Sequence, residues 1–228
     1  MELKVVLDRY MQKVEGLDAF CERCLRTERW GGSVLLMLVD AAFDSIGLNY
    51  FTAVVPKVWA FKREFVDTGI IPNLKTFAHA NPEQFKHIWK NARSWRMAME
   101  VASCLSSLAS NDREAMRTWA RASGLENWEN DPVGRVHGVG LVTYQYLRMM
   151  GGIDTVMPDK IVKRVINQIL VEAGEKPVED NLEFIRKCED IAHACGYRPI
   201  EVCWMTWLVQ EEGRRMRMEK YRDILPLI

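Results

Sequence analysis

Apolar residues recur every three or four positions along most of the chain, and no run alternates with the two-residue period of a half-buried strand. The spacing predicts an all-α protein. Leu3, Val6, Tyr10 and Val14 mark a first helical face. Gly31 and Gly32 precede SVLLMLVDAAFDSIG, apolar almost all round and therefore expected to be a buried helix. Asn49 is placed to cap a helix reaching Phe65, with Pro56 expected to bend it. Between positions 69 and 85, Gly69, Pro72, Asn81 and Pro82 predict short helices joined by turns. Longer helices are expected in ARSWRMAMEVASCLSSLA, in NDREAMRTWARASG behind an Asn111/Glu114 capping box, in NLEFIRKCEDIAHACG and in PIEVCWMTWLVQEEG. Asp131-Pro132 opens a turn. The segment RRMRMEKYRD alternates in charge sign and reads as a solvated helical face.

With 228 residues, 48% of them hydrophobic, the chain can bury a core as one domain or two small ones. It shows no internal repeat or low-complexity stretch. The longest apolar run, 34–39, is too short to span a bilayer, and MELKVVLDRY lacks the basic-then-apolar order of a signal peptide. The expected location is cytoplasmic, nucleoid-associated in a prokaryote. Lys+Arg and Asp+Glu balance at 31 each, so any surface for a polyanion must be local. Of six cysteines, Cys21 and Cys24 form the one close pair, with no second pair or nearby His to complete a zinc site. Cys188 and Cys195 fall on an apolar helical face with Phe184, Ile191 and Ala192. Buried thiols are expected rather than metal ligands.

Candidate chemistry concentrates in residues 136–166, VHGVGLVTYQYLRMMGGIDTVMPDKIVKRVI. Gly138 and Gly140 bracket Val139 ahead of a helix over 143–150. Such a turn can aim backbone N–H groups outward beside the free N–H groups of a helix start, which suits a phosphate. A plain helix–helix turn has the same glycines. Asp159 opens the next helix, ahead of Lys160, Lys163 and Arg164; taken alone it reads as an N-cap. Over 133–170, Arg135, Arg148, Lys160, Lys163 and Arg164 face Asp154 and Asp159, five minus two, a local excess of +3 in a neutral chain.

In combination these elements resemble the helix-hairpin-helix-GPD superfamily of DNA glycosylases, which includes endonuclease III, the adenine glycosylases and the alkylpurine glycosylases. VHGVGLVTYQYL resembles the family hairpin Leu-Pro-Gly-Val-Gly-x-x-Thr-Ala. Asp159 with Arg164 five residues later matches the catalytic Asp and following Arg of the endonuclease III and adenine glycosylase branches. Upstream, VDAAFDSIGLNYFT resembles the helix and loop that enter DNA in relatives, and NLKTFAHANPEQFKHIWKNARSWRMAMEVASCL resembles a run of short helices leading into a longer one. The resemblance covers most of the chain, although only about thirty residues are diagnostic.

The resemblance implies a two-lobed all-α fold, with residues 31–150 as one helical lobe carrying the hairpin. Residues 1–30 plus 151–228 would form the second lobe, and the active site would lie in the cleft between them. Asp159 would be catalytic. Gly138, Val139, Gly140 and Thr143, with Lys160, Lys163 and Arg164, would hold the backbone of double-stranded DNA containing a damaged or mispaired base. Carbonyls of Gly134, Val136 and Val139 would hold Na+ or K+, and the enzyme would act as a monomer.

Departures from the family pattern sharpen this. Bifunctional relatives place a Lys where this chain has Val142, which forms no Schiff base, so base removal would use water and be monofunctional. His137 replaces the hairpin Pro and reads as a polar turn residue. Ala42 stands where endonuclease III has a gap-filling Gln. The four-Cys loop is missing, so no iron–sulfur cluster is expected. Trp89, Trp95, Trp119 and Trp128 are expected in the core, whereas Tyr144 and Tyr146 are open between core and pocket. Three alternatives stand beside this reading: a catalytically inactive DNA-binding protein, a bifunctional lyase using a Lys from elsewhere, and a helical scaffold for protein partners.

Overall fold

A computed structural model describes residues 2–210 and 223–228, which form helices and turns with no strand among them. The helices are α1 (Leu3–Met11), α2 (Leu17–Leu25), α3 (Val34–Asp44), α4 (Val55–Phe61), α5 (Leu74–Ala78), α6 (Ala92–Leu105), α7 (Asp112–Ala122), α8 (Leu141–Met150), α9 (Lys160–Ala173), α10 (Asn181–Cys195) and α11 (Pro199–Leu208). The all-α expectation holds. No helix among the described residues is long and apolar enough to cross a membrane. The mixed-charge segment 214–222 lies outside the described residues.

Helix α3 is buried from Val34 to Phe43, as its unbroken apolar sequence requires, and Ser33 caps it by accepting from the Leu36 N–H. It touches α4, α5, α6, α7 and α8. Helix α11, apolar on every side, touches α1, α2, α9 and α10, and α2 also meets α8. Phe43, Phe61, Phe77, Phe85 and Trp95 join ring to ring beside α3. Trp89, Trp95 and Trp119 are buried, and Trp128 packs partly against the same core. Cys21, Cys24, Cys188, Cys195 and Cys203 are buried free thiols, as expected for small apolar fillers.

Two local expectations need correction. The segment from Asn49 is capped as predicted, by Asn49 Oδ1 accepting from Thr52 N–H at 2.9 Å, but it is not one bent α-helix. π-Helical turns at Tyr50–Val54 and Lys62–Val66 flank a short α4. Pro56 has no N–H to return to the Thr52 carbonyl, so the i to i−4 ladder breaks there and the wider turn takes up the slack. Only half of the Asn111/Glu114 capping box forms: Asn111 accepts from the Glu114 N–H at 2.8 Å. The Glu114 carboxylate turns instead to Arg121 at 2.6 Å, a charge-assisted bond stronger than one to a neutral N–H.

Candidate active site

The hairpin is built on Asp131. Its Oδ1 accepts from Val133 N–H at 2.8 Å and from the Trp119 indole at 2.9 Å, tying the turn to α7. Gly134 then passes so close to residues 128–130 that an added Cβ would lie 1.8 Å from the Trp128 carbonyl oxygen. Val136 and Val139 plug into the core, while His137, Gly138 and Gly140 stay exposed. Gly138 has φ +98, open to glycine and costly for other residues. Val139 N–H donates to the Val136 carbonyl at 3.0 Å, and Gly140 starts α8 with no side-chain cap. The first N–H groups of α8 are therefore free toward solvent, beside two exposed glycines.

Around this turn the cations separate into three groups. Arg148 is buried, bonded to Ser123 and Gln145, so it leaves the local excess of positive charge counted from the sequence. Lys163 is held against α10, donating to the Glu179 carbonyl and to Asn181 Oδ1 at 3.2 Å. Lys160 and Arg164 are exposed, with Arg164 reaching Gln210 at 2.7 Å. Thr143 and Val139 are buried, at 6% and 7% exposure, so what they can present outward is backbone. Val142 packs partly against the core.

Asp159 uses its two carboxylate oxygens differently. Oδ1 caps α9, accepting from Val162 N–H at 2.7 Å. Oδ2 is buried and has no hydrogen-bond partner among the described residues. Burial pushes the Asp159 pKa up to about 6, against the opposing pull of the Val162 and Ile161 N–H groups, the neighbouring Trp207 indole and Arg164. The Trp207 N–H is itself buried without a partner. Two adjacent unsatisfied polar groups of opposite sense mark a place where a ligand or water belongs.

Beside them lies a cavity lined by Asp44, Tyr50, Phe51, Tyr146, Trp204 and Trp207. It holds about 330 Å³ of empty space, part of it open to solvent, but only about 20 Å³ admits the centre of a water molecule. The walls are thus nearly in contact. Tyr146 belongs to this cavity, whereas Tyr144 is a core residue whose hydroxyl donates to the Gly124 carbonyl at 3.3 Å.

Behind the cavity is a cluster that the sequence reading did not single out. Arg29 and Asp40, both at 0% exposure, form an ion pair at 3.2 Å. Tyr50 and Tyr146 each accept from Arg29 at 2.8 Å and donate to Asp40 Oδ2, at 3.1 and 3.0 Å. The Trp30 indole donates to the same oxygen at 2.9 Å. Burial alone would lower the Arg29 pKa, yet the surrounding Tyr146, Tyr50, Cys24 and Asp40 groups raise it well above its usual range. The available signal was an acidic residue inside the otherwise apolar VLLMLVDAAF, since a buried carboxylate demands a partner.

No family model and no curated protein sequence matches the chain. Among solved structures it is similar to the 8-oxoguanine DNA glycosylase of Thermotoga maritima, with a TM-score of 0.55 over 92% of this chain and 98% of that one. Sequence identity is 14%, so the likeness is one of fold: this all-α chain has the architecture of a DNA glycosylase structure.

Proposed function

We propose that the chain is a monofunctional DNA glycosylase that hydrolyses the N-glycosidic bond of a damaged or mispaired base in double-stranded DNA. The observation that carries this reading is Asp159: one oxygen secures its helix, and the other is buried, unpaired and next to an aromatic cavity. Breaking a glycosidic bond leaves oxocarbenium character on the sugar, which a fixed carboxylate stabilises while it orients the attacking water. Val142 offers no amine for a Schiff base, which supports water as nucleophile over a lyase.

The remaining parts fit around that carboxylate. A base reaches the cavity by leaving the stack, at a cost of a few kcal/mol, and the nearly touching walls must part to admit its ring. Ile46 and Leu48, exposed at 43% and 47% in the loop after α3, are suited to fill the gap left in the duplex. The free N–H groups around Gly138 and Gly140 hold a neighbouring phosphate, aided by Lys160 and Arg164 and, more weakly, by Lys163. The backbone of Val139 and Thr143 belongs to that grip. Gly134, Val136 and Val139 carbonyls remain candidates for a bound Na+ or K+, although Val136 already accepts one hydrogen bond. In this reading DNA lies between a lobe of residues 31–150, centred on α3, and a second of 1–30 plus 151–228, centred on α11; the enzyme is a cytoplasmic monomer without an iron–sulfur cluster. The separate packing of α3 and α11 supports the division.

The test is incubation with duplexes each carrying a single lesion, 8-oxoguanine included, followed by strand analysis with and without alkali. Breaks that need alkali are expected. Breaks without alkali favour a lyase, and binding without any product favours an inactive DNA-binding protein.

A further inference from the structure

Asp44 ends α3 at the wall of the cavity, and its side chain makes no hydrogen bond or ion pair among the described residues. Every nearby polar wall is either spoken for or negative. Asp40 lies one turn back on α3, Asp159 faces it from the start of α9, and Arg29 sits behind, already paired with Asp40. The Tyr50 and Tyr146 hydroxyls, which share the cavity, are both directed at Asp40. No cation is left to pair with Asp44, and the Trp207 indole on the opposite wall belongs to Asp159. A carboxyl so placed holds its proton. Burial first, then the Asp40 and Asp159 charges, push its pKa up to about 8, with Arg29 opposing.

We propose, resting on the glycosylase reading, that Asp44 is the proton donor to the leaving base, and that the substrate is consequently an electrically neutral base rather than a cationic alkylated one. As the C1′–N bond breaks, its electron pair passes to the base, and the Asp44 proton moves to a ring nitrogen or exocyclic oxygen of that base. Asp44 is left as the carboxylate. Water adds to C1′ and gives up its proton toward Asp159 and then solvent, and solvent reprotonates Asp44, so the sum is base–H plus a sugar hydroxyl. Asp159, with the lower pKa of the two, stays ionised to face the cationic sugar; two carboxyls driven apart by their surroundings divide the acid and electrostatic roles. A neutral base is a poor leaving group and needs that proton. A base that already carries positive charge does not.

The experiment measures single-turnover base release between pH 5.5 and 9.5, with duplexes carrying 8-oxoguanine, hypoxanthine or uracil and with one carrying 7-methylguanine. The wild-type protein and Asp44→Asn are compared, together with the Asp44 carboxyl midpoint from ¹³C-labelled aspartate. On a neutral base, wild-type release is expected to fall about tenfold per pH unit above the Asp44 midpoint, and Asp44→Asn to be slower by about a hundredfold or more and flat with pH. On 7-methylguanine the same folded variant should stay within about threefold of wild type, a split that a purely structural role would not produce. Equal losses on both kinds of base, an Asp44→Asn rate near wild type, release of 7-methylguanine alone, or a carboxyl midpoint below about 5 would each overturn the donor role. No release from any duplex by wild type, with a midpoint near 8, overturns the glycosylase reading itself and the donor role with it.

Discussion

Arg29 Nη2 stands 3.2 Å from Asp40 Oδ2 with neither side chain reached by solvent, and the tyrosines that bridge the pair are two walls of the cavity. The pair is thus a scaffold for the candidate site. Removing one charge leaves the other buried without compensation, so Asp40→Asn is expected to cost about 3–5 kcal/mol. Replacing both, by Arg29→Met with Asp40→Leu, should cost less than the two single changes summed, because no lone charge remains. Urea denaturation at neutral pH measures both; equal, additive losses would show that the charges do not depend on each other.

Gly134 holds the hairpin against residues 128–130 by having no side chain. A Cβ there would lie 1.8 Å from the Trp128 carbonyl oxygen, and because that atom is backbone, no rotamer change relieves the clash. Gly134→Ala is expected to destabilise the fold by about 2–4 kcal/mol. Gly140→Ala meets nothing within 4 Å at a φ of −96, so it should stay within about 0.5 kcal/mol of wild type. Thermal melts of the two variants side by side provide the comparison.

Most elements could be read from the chain because their causes are local. Asn49, Asn81, Asn111 and Asp159 each cap the helix or turn that follows them, and the apolar run of α3 is buried as its composition demands. What escaped depends on distance. Arg29 and Tyr146 are 117 residues apart, and nothing around either says that they share a hydrogen bond. Likewise Arg148 and Lys163 look like free cations in sequence, yet Ser123 and Glu179 take their donors from other parts of the chain. Asp159 was legible as a cap and, through resemblance, as a candidate acid. That its second oxygen is buried without a partner is a tertiary fact.

Lys160 and Arg164 are exposed, whereas Lys163 is engaged with residues 179–181. If the exposed pair contacts phosphates, replacing both with Ala should weaken DNA binding for every sequence and reduce the log–log salt slope by roughly 1–2. Lys163→Ala should change the slope less and stability more, since its amine bridges α9 to the start of α10. Fluorescence anisotropy over a salt series distinguishes them. An unchanged slope in the double variant would place DNA on another surface.

Asp159→Asn separates the two jobs of one carboxyl. Asn caps helices about as well as Asp, so the bond to Val162 N–H should survive. The charge, however, is held at a cost: a pKa of about 6 in the fold, against 3.8 without it, means the native state binds the proton more tightly than the unfolded chain. The penalty is therefore absent below about pH 4, grows as pH rises toward 6, and is constant above that. Asp159→Asn should be no more stable than wild type at pH 4 but more stable by about 2 kcal/mol at pH 7.5. Base release should meanwhile slow by about a hundredfold or more, equivalent to roughly 3 kcal/mol of lost transition-state stabilisation, with lesion binding unchanged or tighter. A residue kept only as a cap would give neither effect, because nothing would hold an ionised carboxylate there against its own instability. Denaturation curves at the two pH values, set beside single-turnover rates, decide the matter: a variant that gains stability yet releases base within a few fold of wild type would leave Asp159 a strained cap and no catalyst.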